Sequence, residues 1–272
     1  MKFSVVTISY NQAQFLERAI NSVIRQEGDG ICVEYIVVDP GSSDGSREII
    51  DRYRGRFSHV IFERDKGPAD GLNRGFSRAT GDMYCYLNSD DEYCPGAFAA
   101  VRAYFNRYPD VDVVCGHSYV VTGGDRVLRR VWSDPFHKKS QAYGCSIQMQ
   151  PSTFIRERIF KKVGGFNSSN RISWDTELLM EIASAGGRIQ IMDAFLSKYR
   201  VHEGSITGSG SRDDEVRRGA LVKFEKLMGR QWRWYDSLIA KFWFLRRQLR
   251  NPPAALERLR YGPVYRSAMK KK

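Results

Sequence analysis

Residues 3–24 read FSVVTISYNQAQFLERAINSVI and contain two different patterns of apolar residues. Residues 3–9 are a β-branched run that is typical of a buried strand. In residues 15–24 the apolar side chains recur at helical spacing instead. A buried strand followed at once by a helix predicts the first unit of a sheet that is covered by helices.

The same alternation continues through the first hundred residues. Further strands are predicted at 35–39, 59–63 and 82–87. A short helix is predicted after residues 35–39, and a helix at 71–79 follows the strand at 59–63. This order predicts an α/β fold with a Rossmann-like, mostly parallel, doubly wound sheet. Ligands bind such sheets at the carboxyl ends of the strands, where Asp39 and residues 88–91 are expected.

The pattern changes after residue 111. Longer strands on both sides of the glycine turn at 123–125 predict a hairpin. Helices are then predicted at 154–163 and 175–185, and a last short strand leads into residues 199–202. Residues 203–214 have the composition of a linker.

The net charge of +12 is concentrated at the end of the chain. Residues 216–272 contain sixteen Lys and Arg residues against Glu225, Asp236 and Glu257, whereas residues 1–215 are almost neutral. An anionic surface is therefore the expected partner of this tail and not of the body.

Cysteine usage and the N-terminus indicate the compartment. Five scattered cysteines without a CxxC pair argue against a disulfide scaffold or a zinc site, and favour a reducing compartment. The first apolar run is too short for a signal peptide, and no run of about 18 apolar residues is present. The sequence predicts a cytoplasmic protein.

The sharpest chemical feature is the run Asn88-Ser89-Asp90-Asp91 at the end of a predicted strand. Adjacent carboxylates repel each other unless a cation shares them, and a divalent ion with oxygen ligands would do so. An acidic turn that caps the next helix is an equally good explanation of these residues alone. Asp39 has the same two explanations, as a cap or as an acceptor for base or ribose donors.

Several motifs together resemble one enzyme family. They are VVTISYNQAQFLERAINSVIRQ, YIVVDPGSSDGSREII, DKGPADGLNRGFSRATGDMYCYLNSDDEY, GCSIQMQPSTFIRERIFKKVGGFN, ISWDTELLMEIASAGG and YRVHEGSIT. In this order, over residues 3–207, they resemble an inverting glycosyltransferase of family 2 with the glycosyltransferase A fold, of the bacterial surface-polysaccharide type. The resemblance implies a catalytic domain at 1–212, with a nucleotide-sugar half at 1–115 and an acceptor half at 116–212, and a basic helical tail at 213–272.

The resemblance implies a set of residues that bind the donor and its metal. Residues 151–153 would lie beside the donor sugar. The Asp-x-Asp metal motif of the family falls on Asn88-Ser89-Asp90, so its first carboxylate is an amide here. Asp90 would then be the main ligand of Mn²⁺ or Mg²⁺, helped by Asp91, and His202 would bind metal or phosphate. The implied donor-binding residues are Thr7, Ser9, Tyr10, Asp39, Lys66, Asp70, Asn88 and Asp90.

Asp175 falls where the family carries its catalytic aspartate. In an inverting transfer one carboxylate accepts the proton of the acceptor hydroxyl as its oxygen attacks the anomeric carbon. The alternative is that Asp175 merely caps the helix predicted after it, with Glu177 in the first turn. We favour Asp175 as the general base and take Glu177 as the second candidate.

These residues predict transfer of a sugar from a nucleoside diphosphate to a hydroxyl group. The resemblance implies an acceptor such as a polyprenyl-diphosphate-linked glycan or another polysaccharide precursor. One alternative is a nucleotidyltransferase, although a glycine-rich loop with a basic residue should then follow the first strand, where SYNQAQ stands. Another is a non-catalytic membrane- or nucleic-acid-binding protein with a transferase shell, which the substitution at Asn88 would favour.

The basic tail is also aromatic, and residues 235–249 predict an amphipathic helix. Helices with Trp, Phe and Leu among Lys and Arg lie in membrane interfaces, so we expect a peripheral anchor on the inner face of the cell membrane. A helix packed on the body or on a second copy of the chain is the main alternative, and a nucleic-acid arm is disfavoured. The predicted apolar face consists of Tyr235, Leu238, Ile239, Phe242, Leu245 and Leu249.

Overall fold

The computed structural model describes residues 1–170, 173–202 and 213–262, with side chains described from Gly219 onward in the last range. The predicted linker therefore lies mostly outside the described residues, as does the end of the tail. Within these ranges nine strands form one sheet. The strands are β1 (Lys2–Ile8), β2 (Cys32–Val38), β3 (His59–Ile61), β4 (Met83–Asn88), β5 (Glu92–Tyr93), β6 (Val113–Thr122), β7 (Val127–Val131), β8 (Thr153–Arg156) and β9 (Ile189–Val201).

Helices cover both faces of the sheet and form the C-terminal region. Short 3-10 turns occur at Arg54–Arg56 and Gln150–Ser152. The helices are α1 (Ala13–Ile24), α2 (Ser46–Arg52), α3 (Pro68–Phe76), α4 (Ala97–Arg107), α5 (Lys138–Ala142), α6 (Glu157–Lys162), α7 (Trp174–Ser184), α8 (Asp213–Met228), α9 (Asp236–Arg250) and α10 (Pro252–Tyr261).

The sheet order is β3-β2-β1-β4-β8-β6-β9-β5, with β7 paired to β6. Strands β3, β2, β1 and β4 are parallel, and β6 is parallel to β9. In the register of the first half, Ile8 lies beside both Val38 and Asn88, so the carboxyl ends of three strands meet at one edge. The predicted α/β fold with a mostly parallel central sheet and a helical C-terminus is confirmed.

The predicted helix at 154–163 is wrong in its first three residues. Thr153–Arg156 is strand β8, which pairs antiparallel with both β4 and β6 and joins the two parallel parts of the sheet. Phe154 is fully buried between them. A short apolar run reads equally well as strand or helix, and here the gap in the sheet decides in favour of strand. The helix begins only at Glu157.

Two apolar clusters fill the two faces of the sheet. One contains Leu16, Ile20 and Phe98 from α1 and α4, and the other contains Phe76 and Leu178 from α3 and α7. Helix α3 lies very close to β1, since a Cβ at Gly75 would stand 2.9 Å from Cγ2 of Val6. This close packing places the loop before α3 next to the carboxyl end of β1.

The C-terminal helices pack on the body through a third apolar cluster. Phe224 of α8 and Trp243 of α9 are buried there against Tyr143 and Met180. Arg247 adds an ion pair to Asp134 at 2.7 Å. None of the helices within the described ranges has the length and apolar character needed to cross a membrane.

Candidate active site

A cavity of about 790 Å³ opens at the edge where β1, β2 and β4 end. Its wall combines the end of β1, the loops after β2 and before α3, the end of β4, and the start of α7. Because these pieces come from distant parts of the chain, the cavity is a product of the sheet topology. It is lined by Ile8, Ser9, Tyr10, Gln12, Pro40, Gly41, Arg64, Asp65, Gly67, Pro68, Asn88, Ser89, Asp90, Trp174 and Tyr199.

Some of the residues at the end of β1 face the cavity. Ser9 and Tyr10 line it, and the buried Oγ of Ser9 has no hydrogen-bond partner within the described part of the chain. Thr7 lies one step deeper and is fully buried, with its hydroxyl 3.0 Å from the Tyr35 hydroxyl. Ser9 and Tyr10 can therefore contact a ligand directly, whereas Thr7 supports the strand behind them.

Asp39 is fully buried at the end of β2. Its Oδ1 accepts hydrogen bonds from the backbone N–H groups of Gly41 and Ser42, at 3.0 and 2.8 Å, and from Nε of Arg47 at 3.2 Å. Its Oδ2 is buried and has no partner among the described residues. A buried carboxylate oxygen left unpaired is costly, so this atom is suited to accept a hydrogen bond from a ligand beside Gly41.

The loop before α3 presents Asp65 to the cavity instead of the expected Lys66 and Asp70. Asp70 accepts hydrogen bonds from the backbone N–H of Lys66 at 3.0 Å and from Nε of Arg74 at 3.1 Å, so it organises the start of α3. Burial raises the pKa of Asp65, and the nearby carboxylate of Asp70 adds to the rise. A phosphate group bound near this loop would need a positive charge beside it. Arg64 is exposed and lines the cavity, so it can supply that charge.

Residues 88–91, which follow β4, lie in two different environments. Asn88 lines the cavity and donates from Nδ2 to Oε1 of Gln150 at 2.9 Å. Asp90 also lines it, and its Oδ2 lies 3.1 Å from Nε2 of His202. The ring of Phe15 stands 4.6 Å from the His202 ring and supports it. Two residues 112 positions apart thus form one polar pair at the cavity.

Asp91 faces the interior. It is 1% exposed, and its Oδ1 accepts a hydrogen bond from the backbone N–H of Arg200 at 2.8 Å. Burial raises the pKa of Asp91 well above its usual range, and the charge of Asp90 raises it further. Asp91 does not line the cavity. Its bond to the backbone of Arg200 instead joins the acidic loop to β9.

Arg200 holds the acidic loop, residues 88–91, from the interior of the protein. Its buried guanidinium donates from Nε to the backbone carbonyl of Asp90 and from Nη1 to that of Thr122, both at 2.8 Å. It also pairs with the carboxylates of Glu92 and Asp125. With these partners Arg200 fastens the loop after β4 to the turn between β6 and β7.

Asp175 stands in the first turn of α7, next to Trp174 in the cavity wall. Its Oδ1 accepts a hydrogen bond from the backbone N–H of Thr176 at 2.7 Å. Burial raises the pKa of Asp175, which suits a group that accepts a proton near neutral pH.

Glu177, the second candidate for the base, is held in a different environment. It accepts hydrogen bonds from Asn170 at 2.7 Å and from Lys226 at 2.8 Å. Burial by itself would raise the pKa of Glu177, but these bonds, led by the one from Lys226, bring it below the usual value. Glu177 is thus engaged in fixing α7.

Residues 151–153 form an inner wall. Ser152 is fully buried, and its hydroxyl donates to the carbonyl of His117 at 2.7 Å. The hydroxyl of Thr153 donates to the carbonyl of Met149 at 3.0 Å. The neighbouring Gln150 instead reaches toward the cavity through its bond with Asn88.

A divalent ion fits the donors that the cavity offers. No group of three or more His, Cys, Asp or Glu side chains is arranged for a metal within the described ranges. Asp90 and His202 nevertheless present a carboxylate and an imidazole side by side. A carboxylate suits Mg²⁺ and Mn²⁺, the imidazole is a further donor, and a diphosphate can complete the coordination.

Four contributors to the site have weak signals in the sequence. Arg64 and Asp65 precede the DKGPAD motif's predicted contacts, and Trp174 and Tyr199 resemble core aromatics. Asp65, Trp174 and Tyr199 lie within the motifs that resemble the family and Arg64 directly precedes one, but their contact with the cavity depends on side-chain direction in the folded chain.

Known proteins resemble this chain in sequence. The family model described as glycosyl transferase family 2 matches residues 4–164. An uncharacterised glycosyltransferase of Nostoc sp. is 28% identical over 214 residues, which are 74% of this chain and 65% of that protein, just under two thirds of its length.

Two solved structures share the fold. Staphylococcus aureus TarS 1–349, in complex with UDP-GlcNAc, has a TM-score of 0.65 at 21% identity, over 95% of this chain and 74% of that chain. A mannosyltransferase of Pyrobaculum calidifontis, in complex with GDP-Man and Mn²⁺, has a TM-score of 0.62 at 18% identity, over 99% and 76%. With the family match over more than half of its length, the chain belongs to glycosyl transferase family 2.

Proposed function

We propose that this chain is an inverting glycosyltransferase that moves one sugar from a nucleoside diphosphate to a hydroxyl group of a lipid-linked glycan or another polysaccharide precursor. One observation carries the proposal. A single cavity is lined by the loop that follows Asp39, by Asp90 of the Asp90–His202 pair and by Trp174 at the start of α7, next to Asp175. These are the parts that donor binding, diphosphate departure and proton removal require.

The nucleoside is placed at the β1 and β2 side of the cavity. The unpaired Oδ2 of Asp39 is suited to accept a hydrogen bond from the base or ribose, and exposed Tyr10 can cover that part of the ligand. Asn88 is suited to bond a ribose hydroxyl, and Ser9 supports the same region. The two solved relatives named above carry a UDP-sugar and a GDP-sugar, which supports a nucleotide-sugar donor here.

Asp90 and His202 are the residues that would hold Mn²⁺ or Mg²⁺. When bound, the ion supplies positive charge that stabilises the departing diphosphate. Asp91 and Arg200 keep the Asp90 loop in place from the interior side. The relative that carries Mn²⁺ supports a divalent cation for this site.

Asp175 is the proposed general base. As the acceptor oxygen forms its bond to the anomeric carbon, its proton moves to the Asp175 carboxylate. The bond between the anomeric carbon and the diphosphate oxygen breaks at the same time, and the configuration inverts. Trp174, next to Asp175, is buried and lines the cavity, so its apolar ring would cover this side of the acceptor.

The same proposal assigns a function to each part of the chain. Residues 1–115 bind the nucleotide sugar, residues 116–212 receive the acceptor, and residues 213–272 form the basic tail. The tail is not separate from the body, because α8 and α9 share an apolar cluster with α5 and α7.

The outer surface of α9 and α10 is the proposed membrane contact. Helix α9 turns Trp243 toward the body and leaves most of the predicted apolar face outside. Arg246 and Arg250 flank this face, and neither has a carboxylate partner among the described residues. Leu and Phe among Arg and Lys match an anionic lipid surface, which supports the proposal of a contact with the inner face of the cell membrane. The exposed apolar residues are Trp234, Leu238, Phe242, Phe244, Leu245, Leu249, Leu256 and Leu259.

Release of nucleoside diphosphate tests the proposal. UDP-, GDP- and dTDP-sugars are incubated with the protein, with and without Mn²⁺ or Mg²⁺, and in the presence of lipid-linked acceptors. We expect metal-dependent release from one donor and its loss in Asp175→Asn, with Glu177→Gln as the matched control that keeps turnover. The product's anomeric configuration, read by NMR, should be inverted.

Other outcomes separate the alternatives. Release of pyrophosphate would indicate a nucleotidyltransferase. Donor binding without turnover, unchanged in Asp175→Asn, would indicate a non-catalytic protein that has kept the transferase fold. A folded protein that binds no nucleotide sugar would overturn the proposal.

A further inference from the structure

A second cavity, of about 400 Å³, lies between the sheet and the C-terminal helices α9 and α10. Its wall combines the middle of β6, the segment after β7, the start of β9, part of α5, one side of α9 and the start of α10. It shares no lining residue with the cavity that contains Asp90. Small-molecule sites have volumes of about 300–1,000 Å³, so this cavity is large enough to be a separate site.

Three arginines of α9 line the second cavity: Arg246, Arg247 and Arg250. Arg247 is paired with Asp134 at 2.7 Å. The guanidinium of Arg246 lies 5.0 Å from the centre of the Trp243 ring, and Arg246 and Arg250 have no hydrogen bond or ion pair to any residue that the structure describes. Both are exposed, so two guanidinium groups are available to a ligand in this cavity.

Two carboxylates also belong to the wall, and both have partners. Asp134 pairs with Arg247 and, at 3.5 Å, with Arg258. The carboxylate of Asp193 lies 3.1 Å from Nε2 of His117, and the Asp193 side chain is 96% exposed to solvent. Three arginines against two aspartates leave the wall with a net positive charge.

The surroundings of His137 are also positive. Its ring packs against Trp243 with 4.9 Å between the ring centres. Partial burial lowers the pKa of His137, and the charges of Arg246, Lys139 and Arg250 lower it further. The start of α10 belongs to the wall as well and adds the positive end of a helix dipole. An anionic ligand is therefore the expected occupant of the second cavity.

The exposed apolar face of α9 borders these arginines. Leu245 and Leu249 directly precede Arg246 and Arg250 in the chain and are 58% and 72% exposed. Successive residues of a helix are rotated by about 100°, so both arginines lie between the buried side of Trp243 and the apolar outer face. A ligand that joins a phosphate group to an apolar chain matches this arrangement of surfaces.

We propose that the second cavity binds the terminal phosphate of a lipid headgroup, with Arg246 and Arg250 as the residues that bind it. The apolar face of α9 would then contact the chains of the same lipid. The inference rests on the proposed membrane contact of α9 and α10, and it gives that contact a specific headgroup. Guanidinium groups present paired N–H donors that fit phosphate oxygens. A terminal phosphate carries more negative charge than a phosphodiester, so the site should prefer it.

Sedimentation with two kinds of vesicle tests this preference. Phosphatidylcholine vesicles contain either phosphatidic acid or phosphatidylglycerol, at matched surface charge, and the ratio of the two affinities is measured. We expect the unchanged protein to favour phosphatidic acid by about tenfold, and the double variant Arg246→Gln, Arg250→Gln to bind both vesicles equally.

The double variant Lys241→Gln, Arg260→Gln is the charge-matched control. Lys241 and Arg260 are exposed on α9 and α10 and do not line the second cavity. Their loss should weaken binding to both vesicles by the same factor and keep the preference for phosphatidic acid. Circular dichroism verifies that each variant is folded.

Calorimetric titration with dihexanoyl phosphatidic acid, below its micelle concentration, tests the site without a membrane. We expect the affinity to fall by at least about tenfold in Arg246→Gln, Arg250→Gln and to stay unchanged in Lys241→Gln, Arg260→Gln. Equal effects in the two double variants, no preference for phosphatidic acid in the unchanged protein, or equally tight binding of inorganic phosphate would overturn the inference. A protein that binds the short lipid through these arginines but binds no vesicles would lose the proposed membrane contact and keep the phosphate site.

Discussion

Nε2 of His202 lies 3.1 Å from Oδ2 of Asp90, at the edge of the cavity where three parallel strands end. This contact joins the loop after β4 to the segment after β9. In the proposed metal site, this nitrogen donor from elsewhere in the chain would stand beside the one remaining carboxylate, where Asn88 provides an amide. The donor set is therefore assembled from both halves of the sheet.

Replacement of His202 should weaken metal binding. In His202→Gln an amide takes the place of the imidazole, and we expect the affinity for Mn²⁺ to fall by about tenfold or more. Electron paramagnetic resonance of free Mn²⁺ during a titration measures this without a substrate. His137→Gln, at the start of α5, is the control and should bind as the unchanged protein does. Equal affinity in both variants would remove His202 from the metal site.

Removal of Arg200 should destabilise the whole domain. Arg200→Met leaves the Glu92 carboxylate and two backbone carbonyls without their buried donor, and we expect the free energy of unfolding to fall by about 3–5 kcal/mol. Arg18→Met breaks an exposed pair with Asp125 and should cost less than about 1 kcal/mol. Urea unfolding of both variants checks the difference, and equal losses would contradict it.

Glu34 should make stability depend on pH in the acid range. Burial opposes its charge, but hydrogen bonds from Lys2, Ser4 and Thr80 lower the pKa of Glu34 from 4.5 to about 2. A lowered pKa stabilises the folded state above the unfolded value, and this stabilisation disappears as the pH falls from 4.5 to about 2. The unchanged protein should exceed Glu34→Gln in stability at pH 7 and approach it near pH 2. Urea unfolding across this range would contradict the assignment if the difference stayed constant.

Gly75 should not tolerate a methyl group. A Cβ there would overlap the side chain of Val6, so Gly75→Ala must push α3 away from β1, at about 1–3 kcal/mol. At Gly55 nothing lies within 4 Å of the added atom, which makes Gly55→Ala the control. Thermal unfolding of the two variants should separate them clearly, and an equally stable Gly75→Ala would show that the helix can move freely.

The outer face of α9 should carry membrane binding. Leu245 and Leu249 are 58% and 72% exposed, and replacing both with Glu should reduce binding to vesicles that contain phosphatidylglycerol by at least about tenfold. Vesicles of phosphatidylcholine alone should bind the unchanged protein much less.

Val127→Glu is the control for this experiment, since Val127 is an exposed apolar residue on β7, outside helices α9 and α10. The fraction of protein bound to vesicles is measured by sedimentation for the unchanged protein and for each variant. A dimer that dissociates in the double variant, with no vesicle binding in the unchanged protein, would assign the face to a second copy of the chain instead.

Local sequence determined the βα units of the first half and the position of the acidic loop. Strands β1, β2 and β4 are continuous apolar runs, and helix α1 has its own periodicity, so each is encoded within a few residues. The order of the quoted motifs also indicated the family, which the comparison with residues 4–164 confirms.

Packing of distant segments, and not the local pattern, selects which polar groups meet. The contact of Asp90 with His202 and the hydrogen bond from Arg200 to the Asp90 carbonyl each join residues far apart in sequence. The strand at Phe154 and the outward direction of Leu249 likewise depend on which surface is already covered. Periodicity reports the preference of a segment for a conformation, whereas its partners are chosen by packing and by the need to pair buried charges.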